Sequence, residues 1–158
     1  MIGKSVPRVD AYEKVTGRAK FTDDMILDKC LVAKVCHATI GNGIVKSIDT
    51  SEAEALDGVV KVVTFKDVPN HCYPTPGHPW SVELAHQDVA DRNLLTGRVR
   101  YYGDDIAAVV AEDEVTASRA LKLIKVEYEE YPVVLSPRLS MRGSEHPIHL
   151  DKKDNILA

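Results

Sequence analysis

At 158 residues the chain has the length of one ordinary domain, enough to bury a core without a disulfide or metal staple. Hydrophobic residues at 44%, charged residues at 28% and a net charge of −4 with pI about 5.8 are globular values that offer nothing to a polyanion or an anionic membrane surface. The longest wholly apolar runs are around six residues against the ~20 of a spanning helix, and no apolar signal stretch opens the chain, so a cytoplasmic protein with neither nucleic-acid nor membrane partners is expected.

Residues 1–25 are polar, contain Pro7 and Gly17, and show no sustained period; they read as an extended arm with too few apolar residues to offset its own ordering entropy. From residues alone, an arm ordered on something else and a mobile terminus both remain open. Residues 30–40 are rich in β-formers with neither face cleanly polar, which predicts a central strand. Gly41, Asn42 and Gly43 tolerate positive φ, and residues 44–49 return as a strand, predicting an antiparallel hairpin. Ser51 followed by Glu54 matches a capping box, Ala53, Ala55 and Leu56 complete a short helix, and Gly58 can close it in the left-handed conformation. Residues 59–65 form the next strand.

The stretch 69–91 is a long irregular excursion holding Trp80, the only tryptophan. An excursion of this length in a compact domain is usually functional or mobile, and docking of Trp80 on a neighbouring surface is favoured over ligand binding. His71, Cys72, His78 and His86 fall within it, and imidazole and thiolate ligate zinc. Four prolines and the absence of a helix to align two histidines disfavour that reading, so no metal ligand is assigned. Cys30, Cys36 and Cys72 have no paired CxxC spacing and are expected as reduced thiols.

Residues 93–100 lead through Gly97 into the clearest pattern of the chain. Ile106 to Ala111 is an apolar run without polar alternation, the mark of a strand buried on both faces. Asp113 can cap a helix whose Ala117, Ala120, Leu121 and Ile124 lie on one face, with Arg119, Lys122 and Lys125 on the wet side. Residues 126–131 then alternate, with Val126 and Tyr128 on one face and Glu127 and Glu129 on the other, until Pro132. This β-α-β segment needs a sheet under its helix stripe. The order β-β-α-β, loop, β-α-β predicts an α+β fold: a mixed β-sheet with two helices packed on it, preceded by the arm at 1–25 and followed by a linker at 138–158, with the domain proper at 26–137.

No phosphate loop, dinucleotide fingerprint, nucleophile elbow or HExxH motif occurs. The acid pairs Asp23-Asp24, Asp104-Asp105, Glu112-Asp113 and Glu129-Glu130 place neighbours on opposite faces and read as solvated turns and caps.

Three stretches carry a resemblance. Arg8, Asp10, Lys14, Val15, Thr16, Gly17, Phe21 and Asp24 resemble the opening arm of the molybdenum-binding subunit in the xanthine dehydrogenase and aldehyde oxidase family. HATIGNGIVKSIDTSEAEALDGVVKVVTFKDVP at 37–69 and YYGDDIAAVVAEDEVTASRALKLIKVEYEEYPVVLSP at 101–137 resemble its next two, the match covering nearly all of 5–137. Tyr102 departs from the family, which more often has a small or branched apolar residue before the glycine. The resemblance is greatest to bacterial xanthine dehydrogenases whose molybdenum, flavin and iron–sulfur parts are separate chains. It implies the α/β hammerhead domain that opens the molybdenum subunit.

In that family a molybdopterin-bound molybdenum hydroxylates xanthine, hypoxanthine or an aldehyde with oxygen from water, and electrons leave through iron–sulfur clusters to FAD. The resemblance implies that these groups belong to later domains of the subunit and to iron–sulfur and FAD partner subunits. No catalytic, cofactor-binding or metal-binding residue is therefore assigned here, and the chain alone is expected to be inactive. An aldehyde, aromatic CoA ester or heterocyclic acid as substrate, or a free-standing adaptor that binds other subunits, are the other readings.

Overall fold

The computed structural model describes residues 2–25, 27, 29–74, 89–152 and 154–156. Two compact units divide the chain, Met1–Cys30 and Leu31–Ala158.

The first unit is not uniformly extended, as its lack of period had suggested. It contains a one-turn helix α1 (Ala11–Val15) and a 3-10 turn at Thr22–Asp24. Asp10 gathers Arg8 and Lys14, with the Lys14 Nζ at 2.7 Å, and Thr16 Oγ1 donates back to the Tyr12 carbonyl at 2.7 Å. Lys14 above all holds the Asp10 carboxyl below its usual range. No residue of α1 is buried. The described residues of this unit are tied by local polar bonds and form no apolar core.

In the second unit the elements are β1 (Val32–His37), β2 (Gly43–Asp49), α2 (Ser51–Glu54), β3 (Val59–Thr64), β4 (Tyr73–Pro74), β5 (Ala90–Arg92), β6 (Arg98–Val99), β7 (Asp105–Ala111), α3 (Glu114–Leu121), β8 (Lys125–Glu130) and α4 (Pro137–Ser140). The α+β class expected from the sequence holds. The sheet is divided, however: described strands form two three-stranded sheets, β1-β7-β3 and β6-β2-β8, and a two-stranded ribbon β4-β5, with every described pairing antiparallel.

The unbroken apolar run 106–111 became the middle strand of the first sheet. Its alternate residues serve two cores: Val109 and Ala111 point toward α2 and α3, where they meet Ala53, Val62, Ala117 and Ala120. Ile106, 0% exposed, joins Ala38, Ile40, Val45 and Val99 in a second core that Val126 and Tyr128 of β8 also reach. Polar alternation is missing from β7 because Ala107, Val109 and Ala111 are buried on one face while Ala108 and Val110 are half-buried on the other. Asp113 caps α3 as predicted, its Oδ1 accepting from the Thr116 N–H at 2.8 Å and its Oδ2 from the Thr116 hydroxyl at 2.7 Å.

Three local expectations are corrected. The hairpin of β1 with β2 does not form, because β1 pairs with β7 while β2 pairs with β6 and β8. The intervening residues Ala38, Ile40 and Asn42 are buried, so this segment crosses between sheets through the interior and is no exposed turn. Asn42, 1% exposed, is held by donating to the Pro132 carbonyl at 2.8 Å and accepting from the Tyr131 N–H at 2.9 Å. Strand β1 lies at an edge instead of the centre, with Val32, Lys34 and Cys36 turned inward and Ala33, Val35 and His37 exposed. The Ser51–Glu54 capping box is replaced: Asp49 Oδ1 accepts from both the N–H and the hydroxyl of Ser51, and Glu54 binds the Thr50 hydroxyl at 2.8 Å. Asp49 offers a charged acceptor two residues upstream, which outcompetes the reciprocal box.

The strands flanking α3 also differ from the sequence reading, since β7 and β8 belong to separate sheets. The helix stripe nonetheless rests on the sheet that β1 and β3 complete. Trp80, His78 and His86 lie outside the described residues.

Candidate functional site

The most concentrated set of polar side chains in the second unit lies where β5 and β6 meet residues 146–149. Arg98 and Arg100 are two apart on an extended segment and so project to the same side. Arg98 Nη1 donates to the Gly43 carbonyl of β2 at 2.9 Å and also to the Val99 carbonyl, while Nη2 donates to the Pro147 carbonyl at 2.8 Å. Its guanidinium lies 5.6 Å from the Tyr131 ring centroid, and that ring stacks on His146 with centroids 3.9 Å apart and planes 7° from parallel. Burial draws the Arg98 pKa below its usual value, with Arg100 adding to the effect.

Arg100 Nη1 donates to Asp91 Oδ2 at 3.1 Å and lies 3.4 Å from His149 Nδ1. A guanidinium can only donate, so Nδ1 accepts and the imidazole proton sits on Nε2, facing Asp91 Oδ2 at 3.7 Å. Burial first, then Arg100, lower the His149 pKa, and the opposite pull of Asp91 is the weaker effect. Asp104, 4% exposed, receives the Arg100 backbone N–H at 3.0 Å. This corrects the sequence reading of the Asp104-Asp105 pair as a solvated turn: Asp104 is a buried fastening, and only Asp105 reaches outward, to His37 at 2.9 Å.

Asp91, Arg98, Arg100 and His149 line an open cleft of about 560 Å³, together with Thr96, Asn93 and Cys72. Its chemistry is that of attachment. Arg98 and Arg100 reach carbonyls and Asp91, the Thr96 hydroxyl donates to the Arg98 carbonyl at 3.1 Å, and Cys72 is taken by Asn93 Oδ1 at 3.1 Å. Of the suspected metal ligands, His71 and Cys72 are exposed, and no group of three or more His, Cys, Asp or Glu able to hold a metal occurs among the described residues. Sequence reasoning missed Asp91, Arg98, Arg100 and His149. The Arg-Val-Arg alternation at 98–100 was the one available sign, and it says nothing of the partner segment fifty residues on.

The other feature is apolar side chains left outside. In the second unit Val133, Leu135, Leu139, Met141 and Leu150 are exposed, Leu135 to 89%. In the first unit Val9 is fully exposed, with Val15, Phe21 and Leu27 also outside. Solitary exposed apolar residues are ordinary, but series of this kind mark surfaces that something covers.

Over residues 16–132 the sequence matches the pattern described as the aldehyde oxidase and xanthine dehydrogenase a/b hammerhead domain. The chain belongs to this family. It is 43% identical over 142 residues, 90% of its length, to the xanthine dehydrogenase molybdenum-binding subunit of Escherichia coli O157:H7, covering 19% of that protein. To the large subunit of nicotine 6-hydroxylase from Paenarthrobacter nicotinovorans it is 33% identical, with 99% of this chain and 19% of the relative covered. Among solved structures, the aldehyde oxidoreductase of Desulfovibrio desulfuricans superposes with TM-score 0.77 at 32% identity, covering 96% of this chain and 17% of that one. The hammerhead chain thus spans less than a fifth of the length of each of these relatives. The first relative's name includes molybdenum binding. In the cleft, Arg98 Nη1 and Nη2 and Arg100 Nη1 already have carbonyl and carboxylate partners, and Arg98 Nε is buried without one.

Proposed function

We propose that this hammerhead domain is the N-terminal supporting domain of the molybdenum-binding subunit of a xanthine dehydrogenase, an enzyme that hydroxylates xanthine or hypoxanthine in purine breakdown. The observation that carries the reading is the 43% identity to a xanthine dehydrogenase molybdenum-binding subunit over 90% of the chain. The domain holds no reactive group of its own; molybdopterin and molybdenum belong to the remaining domains, and iron–sulfur clusters and FAD to partner subunits. Its exposed apolar residues, Leu135 and Leu139 in one unit and Val9 and Phe21 in the other, support a role in which those domains cover it. The free thiols of Cys30, Cys36 and Cys72 support a cytoplasmic setting.

The test is dye reduction by the complete enzyme with xanthine, hypoxanthine and an aliphatic aldehyde as separate substrates. Turnover of xanthine above the aldehyde is expected. Aldehyde turnover without xanthine turnover would move the assignment to an aldehyde oxidoreductase, the second reading supported by the 0.77 TM-score to such an enzyme. The purified chain alone should carry no molybdenum by elemental analysis and reduce no dye.

A further inference from the structure

Arg98 stands on a two-residue strand, yet its guanidinium reaches two distant parts of the chain at once. Nη1 takes the Gly43 carbonyl at the start of β2, and Nη2 takes the carbonyl of Pro147, forty-nine residues downstream, at 2.8 Å. A planar fork is needed for this, because the two acceptors lie on different segments and the donors must diverge at a fixed angle. Pro147 is a suitable acceptor: its own ring nitrogen cannot donate, so its carbonyl is the whole of its backbone polarity. Beside this bond, His146 lies flat on Tyr131, and Tyr131 in turn lies under the Arg98 cation. Two residues further, His149 meets Arg100 and Asp91.

The described residues of the segment 138–156 have few other fastenings. The helix α4 (Pro137–Ser140) buries none of its side chains, and Met141 and Leu150 are exposed. The bonds within the segment are local, such as the Ile148 N–H to Asn155 Oδ1 at 2.6 Å, and such bonds shape a loop without fixing where it lies. Its place on the sheet β6-β2-β8 therefore depends on the line His146, Pro147, His149 and on the side chains they meet.

We infer that Arg98 is a latch that pins the segment 146–149 to the edge of the β6-β2-β8 sheet, with the Tyr131–His146 stack as its second fastening. Arg98 is thus a positioning residue for the path of the chain after β8. The competing account is that Arg98 serves only the sheet, through Gly43 and Val99, and that the Pro147 contact is incidental.

Hydrogen exchange read by mass spectrometry on the full chain separates these accounts, with the 144–150 peptide as the reporter and the β7 peptide as the internal control. Arg98→Met keeps the unbranched stem of the side chain and removes every donor. It should speed exchange in the 144–150 peptide about tenfold or more, the size expected for losing a hydrogen bond to a charged donor, with β7 unchanged. Arg98→Lys keeps the charge without the fork and should not restore protection. His146→Ala, which lies on the strap and leaves the sheet intact, should loosen the same peptide, and in Arg98→Met the ring-current shift that Tyr131 imposes on the His146 protons should disappear from the NMR spectrum. An unchanged 144–150 peptide in Arg98→Met or His146→Ala, or full protection in Arg98→Lys, would overturn the latch. So would exchange that rises in β7 together with the strap, since Arg98 would then be part of the core.

Discussion

Backbone approaches closer than a methyl group at Gly43, where β2 begins. A Cβ there would overlap the Glu129 carbonyl oxygen of β8 and stand 2.6 Å from Ile40 Cδ1. The strand pairing that places Gly43 opposite Glu130 leaves no slack, because the nearest collision is with backbone. Gly43→Ala should cost about 1–3 kcal/mol, the range for overpacking, read as a lower urea midpoint with an unchanged slope. His149 sets a pH dependence at the same scale. Its pKa lies below the usual imidazole value of 6.5, since burial and Arg100 disfavour the cation, so the folded state binds the proton less readily than the unfolded chain does. The contribution of His149 is therefore fully present above pH 6.5 and is lost as pH falls through the folded-state value. Titration of the chain from pH 7.5 to about 5 should loosen the 146–149 attachment, and His149→Gln should flatten that response in hydrogen exchange.

Among the elements, α3 shows how a short helix is stabilised by what lies beneath it. Eight residues are too few to be helical alone in water, and α3 depends on the Asp113 cap and on Ala117 and Ala120 pressed against β7 and β3. Small side chains at those two positions let the helix lie close to the strands, whose own residues there include Ala111. Ala120→Leu should destabilise by about 1–3 kcal/mol because the sheet cannot yield, whereas Val115→Ala on the wet face should change stability by no more than about 0.5 kcal/mol. Thermal unfolding of the two variants side by side checks the orientation of the helix. The basic residues Arg119, Lys122 and Lys125 are exposed as their spacing required, and Lys125, which opens β8, pairs with Glu52 of α2.

For the whole molecule, the contrast between the two units carries the expectation. The second has two apolar cores, whereas the described residues of the first form none and are held by exposed pairs such as Lys14 with Asp10. In the 158-residue chain by itself, amides of residues 2–25 should exchange within about tenfold of an unstructured peptide while β7 is strongly protected; protection of both alike would show the first unit to be stable without a partner. Most strands, the Asp113 cap and the α+β class could be read directly from the sequence, because apolar period and capping chemistry act over a few neighbouring residues. The edge position of β1, the division of the sheet and the cleft of Asp91, Arg98, Arg100 and His149 could not.

Local pattern in the sequence was enough for most of the strands, for α2 and α3, and for the apolar face of each: the 106–111 run, the Ala117–Ala120 stripe and the Val126–Tyr128 alternation are local patterns of burial. Only the tertiary structure decided which strands pair, because Gly41-Asn42-Gly43 suits a tight turn as well as a buried crossing. The choice rests on where Ala38, Ile40 and Asn42 find apolar neighbours and hydrogen-bond partners, Pro132 and Tyr131 among them. Those partners lie ninety residues away along the chain, a separation over which no periodicity carries information.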